Sequence, residues 1–173
     1  MDEPLFYLQS PHGDLGTNTV FHNVRGAGYG TDLDGLKKIS LVEAQKELGH
    51  NINALPLLVT KVDELSIRAV DCQNLDHDAN HEFKKKSPDC FVIQLDRHWN
   101  GNDIAFISGS GVTYDFTRPE TFTMDEATKY LLAHQNERLT IWNQAYLFSI
   151  SRRTFQSHNI NTRSMITGPG LIY

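Results

Sequence analysis

One pattern of residues occurs twice in this chain, and the repetition restricts the folds that the chain can adopt. Each copy contains a short apolar segment, then a glycine-rich turn ending in aspartate, then a helix start followed by Glu-Ala. The first copy comprises residues 6–9, 26–32 and 40–44, and the second comprises residues 91–94, 109–115 and 123–127. The same order with similar gaps predicts two related modules in tandem, with an approximate internal two-fold relationship.

The glycine-rich turn of each copy lies between two extended segments. In the first copy residues 19–24 and 29–33 flank the turn, and in the second copy residues 104–107 and 112–116 do so. Glycine adopts the torsions that tight hairpin turns require. Each module is therefore predicted to contain a β-hairpin.

A capping box follows the hairpin in both copies. Ser40 is followed three residues later by Glu43, and Thr123 is followed in the same way by Glu126. The hydroxyl accepts from a free backbone N–H of the first turn while the carboxylate reaches back to the cap. These pairs predict helices over residues 41–48 and 124–134.

The fold class predicted from these elements is α+β, with each module a short antiparallel sheet bearing one or two helices on one face. A further apolar segment in each copy, residues 55–67 and 139–150, predicts a second helix, although residues 56–60 also suit a strand. Closing strands are predicted near residues 69–72 and 154–156.

Composition sets the predicted module boundaries. Residues 76–90 are polar and of mixed charge, so we interpret them as a linker between a first module at 1–75 and a second at 91–156. Residues 157–173 are rich in Asn, Thr, Ser and Gly and end in three apolar residues. This pattern predicts a C-terminal arm that docks on its own body or on a partner.

The overall composition is that of a cytoplasmic globular protein. The net charge of −5 disfavours a phosphate-binding surface and makes nucleic acid a less favoured partner. No apolar run approaches the roughly 18–20 residues that cross a bilayer. Only two cysteines are present, too few for a disulfide framework.

The residue types of catalytic and metal sites are present without the expected patterns. Asp32 and Asp115 occupy equivalent places, and each is interpreted as capping its own turn. Cys72 and Cys90, with the two histidines at 77 and 81, offer four zinc ligands, but their spacings match no common zinc module. The sequence therefore predicts no catalytic residue, no metal and no cofactor, and favours a protein that is not an enzyme.

Six residues are predicted to bind a ligand or a partner. Trp99 follows Arg97 and His98 in a predicted polar loop where a large aromatic side chain has no obvious burial, which is typical of a partner contact. The remaining candidates are arginines that suit an anion: Arg68, Arg152 and Arg153.

The repeated residues also resemble a small uncharacterised module of phage and prophage genomes. The resemblance rests on Tyr7-Leu8-Gln9, on residues 26–33, on Glu43-Ala44 and on Ala69-Val70-Asp71, while Phe21-His22 replaces an aromatic pair and an Arg-Pro step is missing. It covers about two thirds of the chain and carries over no catalytic residue. It implies an accessory protein of a mobile element.

We therefore expect a non-enzymatic phage or mobile-element protein that binds a host protein of a defence or regulatory system. It would act in the host cytoplasm by occupying a surface. The alternative is a protein that binds a small nucleotide or other anion in a groove between the modules, with Arg68, Arg97 and Arg152 as clamps. A small hydrolase or transferase is the third hypothesis.

Overall fold

The chain folds into two compact α+β units, which confirms the predicted fold class. The computed structural model describes residues 3–24, 28–51, 53–109 and 111–172. Unit 1 comprises Met1–Ile67 and Arg153–Tyr173, and unit 2 comprises Arg68–Arg152. The predicted hairpin turns fall partly on residues 25–27 and on residue 110, which lie outside the described residues.

Unit 1 is built on a three-stranded antiparallel sheet in the order β4-β1-β5, accompanied by the small hairpin β2–β3. The middle of the central strand is buried, because Phe6 and Tyr7 have no solvent exposure, whereas Leu5 at its start is exposed. The elements, in chain order, are β1 (Leu5–Leu8), β2 (Phe21–His22), β3 (Tyr29–Gly30), β4 (Lys38–Ser40), α1 (Leu41–His50), β5 (Pro56–Leu58) and α2 (Val59–Glu64).

Unit 2 is built on a four-stranded antiparallel sheet in the order β10-β7-β8-β9. The elements are α3 (His77–Lys86), β7 (Phe91–Asn100), β8 (Asp103–Ser108), β9 (Gly111–Thr113), α4 (Met124–Ala133), β10 (Leu139–Asn143) and α5 (Gln144–Ile150). The strands β6 (Ile67–Ala69) and β11 (Arg152–Thr154) each contain a boundary between the two units.

Helices cover both faces of the sheet in unit 2, whereas one covered face was predicted. Val92 packs in one cluster with Leu147 of α5, and the next residue, Ile93, packs in a second cluster with Ala127 of α4. Successive strand residues point to opposite faces. Every residue of β8 is accordingly buried.

Both predicted capping boxes are present. Glu43 N–H donates to Ser40 Oγ at 3.3 Å, and Ser40 N–H donates to Glu43 Oε2 at 3.0 Å. In the second copy Glu126 N–H donates to Thr123 Oγ1 at 3.3 Å, and Thr123 N–H donates to Glu126 Oε2 at 2.8 Å. The predicted helices are confirmed at α1 and α4.

The second apolar segment of each copy is a strand followed by a helix, so the prediction of one helix over each whole segment was wrong, whereas the alternative of a strand within residues 56–60 is confirmed at β5. In the first copy β5 ends at Leu58 and α2 begins at Val59. The antiparallel pairing of Leu58 with Phe6 holds the strand, and this partner is distant in sequence. Trp142, expected in a helix, accordingly lies in β10 and is buried.

The segment predicted as a linker, residues 76–90, contains the helix α3. Asp76 caps this helix by accepting from the N–H groups of Asp78 and Ala79. Asn80 is buried and its side-chain oxygen accepts from Asn143 N–H at 2.8 Å. The charged residues form the exposed side of a packed helix, which composition alone does not distinguish from a linker.

The unit boundaries also differ from the predicted module boundaries. Val70, assigned to the first module, is buried among core residues of unit 2, and Phe155, assigned to the second, is buried in the core of unit 1. Gln156 Nε2 donates to Asn18 Oδ1 at 2.6 Å. The end of each predicted module thus belongs to the other unit, and the internal two-fold relationship stays a prediction.

The predicted C-terminal arm belongs to unit 1. It contains a short π-helical turn, Arg163–Thr167, and Met165, Ile166 and Leu171 are buried in the core. Ile172 N–H donates to Gln45 Oε1 and its carbonyl accepts from Gln45 Nε2, both at 2.8 Å. The arm therefore docks on its own chain.

Over the described ranges, none of the helices combines the length and the apolar character that crossing a membrane would require.

The boundaries make a prediction about fragments. A fragment of residues 68–152 retains Val70 and α3, whereas the sequence-derived module, residues 91–156, lacks both. We expect only the first fragment to show a cooperative thermal transition, because only it keeps the complete unit 2 core. Circular dichroism melting of the two fragments is the measurement. Cooperative unfolding of the 91–156 fragment at an equal or higher temperature would show that these boundaries are misplaced.

Candidate functional site

The strand β7 changes register where it carries Arg97, His98 and Trp99. Leu95 pairs with Ala105 and Trp99 with Ile104, so the three residues between Leu95 and Trp99 have no opposite residue on β8. Bulges of this kind re-aim side chains and are frequent at functional sites. Three of the six predicted site residues thus lie together on one irregular segment.

Arg97 has a backbone conformation that is unusual for a residue with a side chain. Its φ of 67° makes it the one non-glycine residue with positive φ in the described ranges. Such a conformation is disfavoured for most non-glycine residues and persists where surrounding structure holds it. Thr140 Oγ1 donates to Asp96 on the preceding side, and Tyr114 Oη donates to the Trp99 carbonyl at 3.4 Å on the following side.

The bulge presents three exposed side chains. Arg97 and His98 are exposed, and Trp99 is 47% exposed. Tryptophan and arginine are the residue types that most often dominate binding energy at protein interfaces. We call Arg97, His98 and Trp99 the tryptophan bulge.

Arg68 lies against an exposed aromatic ring in unit 2. Its guanidinium carbon is 4.6 Å from the centroid of Phe148, a residue that is 57% exposed. Its Nη1 donates to Ser151 Oγ at 2.8 Å. The side chain is held by these contacts and keeps a partly exposed face.

Arg152 forms a buried ion cluster instead of an open anion site. Its Nη2 lies 2.7 Å from Asp103 Oδ1, and its Nη1 lies 3.5 Å from Asp71 Oδ2. The Asp103 side chain has no solvent exposure. Two carboxylates balance the guanidinium charge, so Arg152 stabilises unit 2 and is not available as the predicted clamp.

Arg153 is also paired, but within unit 1 and nearer to solvent. It contacts Asp34 Oδ1 at 2.8 Å and Asp63 Oδ1 at 3.2 Å. Tyr7 Oη donates to the same Asp63 oxygen at 3.2 Å. Burial, followed by the Asp63 charge, raises the pKa of Tyr7 to about 12. Neighbouring strand residues point in opposite directions, so Arg152 and Arg153 reach different clusters.

Unit 1 contains a cleft that the sequence did not predict. It has a volume of about 450 Å³ and lies between the hairpin β2–β3 and one side of α1. Its polar lining includes His22, Asn23, Tyr29, Lys37, Lys46 and Glu47. Phe21-His22 had been noted only as a departure from a family pattern. The lining residues are too far apart in sequence to form a recognisable motif. We call this site the histidine cleft.

The rings of the histidine cleft contact each other edge to face. Tyr29 lies 4.8 Å from His22 and 5.0 Å from His12, with interplanar angles of 69° and 75°. Burial lowers the pKa of His22 below its ordinary value, Glu47 opposes this shift, and Lys37 and His12 reinforce it. Burial therefore favours the neutral form of the His22 imidazole.

Several of the residues considered for zinc and for catalysis have other partners. Across the described ranges, no three His, Cys, Asp or Glu side chains are grouped so that they could hold a metal ion. His77 stacks on Trp142 at 4.8 Å. Asp32 accepts from Asp34 N–H at 3.2 Å and Asp115 from Thr117 N–H at 3.0 Å, so the interpretation of both as turn caps is confirmed.

Comparisons of the chain with protein-family models, with curated proteins and with solved structures gave no match. The candidate sites therefore rest on geometry alone.

The two neighbouring arginines give a matched stability test. Replacing Arg152 with alanine leaves the buried Asp103 without its cation, and we expect a loss of about 3–5 kcal/mol in the free energy of unfolding. Arg153→Ala disrupts partly exposed ion pairs and should cost about 1 kcal/mol or less. Urea denaturation of both variants measures the difference. Equal losses would contradict the structural role assigned to the buried cluster.

Tyr7 predicts a pH dependence in the alkaline range. Its pKa is raised to about 12, so the folded state favours the neutral phenol, and the stability that Tyr7 contributes declines as pH rises from about 10 towards 12. Tyr7→Phe should lower stability by about 1 kcal/mol at pH 9 through the lost hydrogen bond. The gap between wild type and variant should shrink by pH 11, measured by denaturant unfolding. A gap that stays constant would show that the Tyr7 pKa is not raised.

Proposed function

We propose that this protein is a non-enzymatic accessory protein of a phage or mobile element. In this proposal it binds a host protein of a defence or regulatory system and blocks it by occupying a surface. The mobile-element origin is supported by the sequence resemblance. The binding role is supported by one structural observation: a tryptophan held at the surface by a strained strand bulge.

The exposure of Trp99 supports binding because it has an energetic cost. Burying a large aromatic side chain is favourable by several kcal/mol, yet nearly half of Trp99 faces solvent. The bulge adds the strain of Arg97 at φ 67°. An exposed tryptophan beside a strained backbone is typical of a functional site. A protein partner that covered the indole would gain the free energy of burying it.

The side chains beside Trp99 indicate the chemistry of the partner surface. Arg97 and His98 are exposed, and the guanidinium of Arg97 is cationic. A complementary surface would offer an apolar pocket for the indole with acidic residues at its rim. Phe148 and Arg68 form a second exposed aromatic–cation pair in the same unit and are candidates to extend the interface.

The other candidate residues support a role without catalysis. Asp32 and Asp115 hold their own turns, and Arg152 and Arg153 are paired with carboxylates. Burial raises the pKa of Cys72, which keeps its thiol protonated and weakly nucleophilic. The aspartates and arginines named above thus make structural contacts.

Affinity capture from a host lysate, with and without nuclease, tests the binding role. We expect wild type to retain a specific protein after nuclease treatment. Trp99→Ala should weaken binding of that protein by about 30-fold or more, as loss of a hot-spot residue does. Calorimetry with the purified partner measures the change.

Leu132 provides the control for this experiment. It is an exposed apolar residue of α4 in the same unit, 62% accessible to solvent. Leu132→Ala should leave the affinity unchanged. Equal binding by wild type and Trp99→Ala, or loss of the captured protein on nuclease treatment, would overturn the proposed function.

A further inference from the structure

The histidine cleft in unit 1 has features of a small-molecule site that the proposed function does not use. Its volume of about 450 Å³ is within the range of about 300–1,000 Å³ that small-molecule pockets occupy. Buried Ile39 and half-buried Leu8 form apolar parts of its lining. The remaining lining is mainly polar, aromatic or charged.

Two lysines line the cleft together with the carboxylates of Glu43 and Glu47. Lys37 and Lys46 are exposed and form no ion pair with any residue in the described ranges. By contrast, Lys61 pairs with Glu64 at 2.6 Å, and the Lys38 ammonium lies 5.6 Å from the centre of the Tyr7 ring. Although Lys37 lies close enough to Glu43 to help lower its pKa, the two exposed ammonium groups of the cavity keep donors for an anionic group, of which phosphate is the most highly charged common example.

The two carboxylates of the cleft, Glu43 and Glu47, differ in how they are held. The carboxylate of Glu43 accepts both from the N–H of Ser40 at 3.0 Å and from its hydroxyl at 3.2 Å. It is therefore held at the helix cap. Glu47 has no such contact in the described part of the chain and is free to accept hydrogen bonds from hydroxyl or amino groups of a ligand.

The aromatic lining would suit a planar ring. Tyr29 is 42% exposed. The imidazoles of His12 and His22 hold its ring through the edge-to-face contacts described above. Fixed aromatic side chains bind nucleobases by stacking, which is sequence-tolerant and contributes about 1–3 kcal/mol per base.

Asn23 adds a side-chain amide that can form hydrogen bonds with a ligand. It lines the cleft beside Gly30, where an added Cβ would lie 2.9 Å from Asn23 Oδ1. The absence of a side chain at Gly30 thus leaves space for this amide. An amide offers both donors and an acceptor, which a base edge requires.

We propose that the histidine cleft binds a nucleoside monophosphate. The phosphate would lie between Lys37 and Lys46, the base would stack on Tyr29, and Glu47 and Asn23 would accept or donate hydrogen bonds at the sugar and base. This site lies wholly within unit 1 and uses none of the tryptophan bulge, so its failure and that of the proposed function are separable.

Titration of the full chain with the four common nucleoside 5′-monophosphates tests the proposal, with inorganic phosphate and adenosine as the two partial probes. We expect at least one monophosphate to bind with a dissociation constant below about 1 mM. Each partial probe should bind at least tenfold more weakly, because each lacks one half of the contacts. Calorimetry gives the constants, and NMR shifts of the His22 and Tyr29 ring protons locate the ligand.

Lysine variants provide the matched control. Lys37→Ala with Lys46→Ala should weaken nucleotide binding at least tenfold. Lys38→Ala with Lys61→Ala changes the net charge equally but outside the cleft, and should leave binding unchanged. Tyr29→Ala should remove the advantage of the nucleotide over inorganic phosphate. Circular dichroism confirms that each variant is folded.

The proposal is overturned by any of three results. The first is no binding of any monophosphate at concentrations of about 10 mM. The second is binding no tighter than that of phosphate or adenosine alone. The third is an equal loss of affinity in both lysine pairs, which would indicate general charge attraction.

Discussion

The buried charge of Asp103 is the constraint on which much of unit 2 depends. A carboxylate without solvent exposure requires a cation held in place, and Arg152 supplies it at 2.7 Å. Arg152 is the last residue of unit 2, and Asp71 lies near its first residue. The ion cluster thus links a residue near the start of the segment that forms unit 2 to the residue at its end.

Local features of this fold were predictable from the sequence, and features that depend on distant partners were not. The capping boxes of α1 and α4 were predicted because both members of each pair lie within one helical turn. The strand β5 was foreseen only as an alternative to a helix, because its conformation is set by pairing with β1, some fifty residues earlier in the chain. The helix α3 was read as a linker because its composition is polar, although its buried Asn80 is fixed by Asn143.

The same distinction holds for the candidate sites. Arg97, His98 and Trp99 were predicted as a partner contact because they are consecutive and because an aromatic residue in polar surroundings is visible in the sequence. The prediction of a loop at these residues was wrong, because they belong to the strand β7 and its bulge. The histidine cleft was missed because its lysines and rings come from separate elements that only the fold brings together. Arg152 was taken as a ligand clamp because the sequence shows a charge but not its partner.

The nesting of unit 2 within unit 1 has a consequence for synthesis of the protein. Unit 2 is one continuous stretch, whereas unit 1 needs residues from both sides of that stretch. During translation the whole of unit 2 leaves the ribosome before Phe155 and Leu171, which complete the unit 1 core. Domains fold as units when their residues become available. Residues 3–67 of unit 1 therefore wait for residues 153–172 before their core is complete, and a nascent chain would hold a folded unit 2 while unit 1 is still open to chaperones.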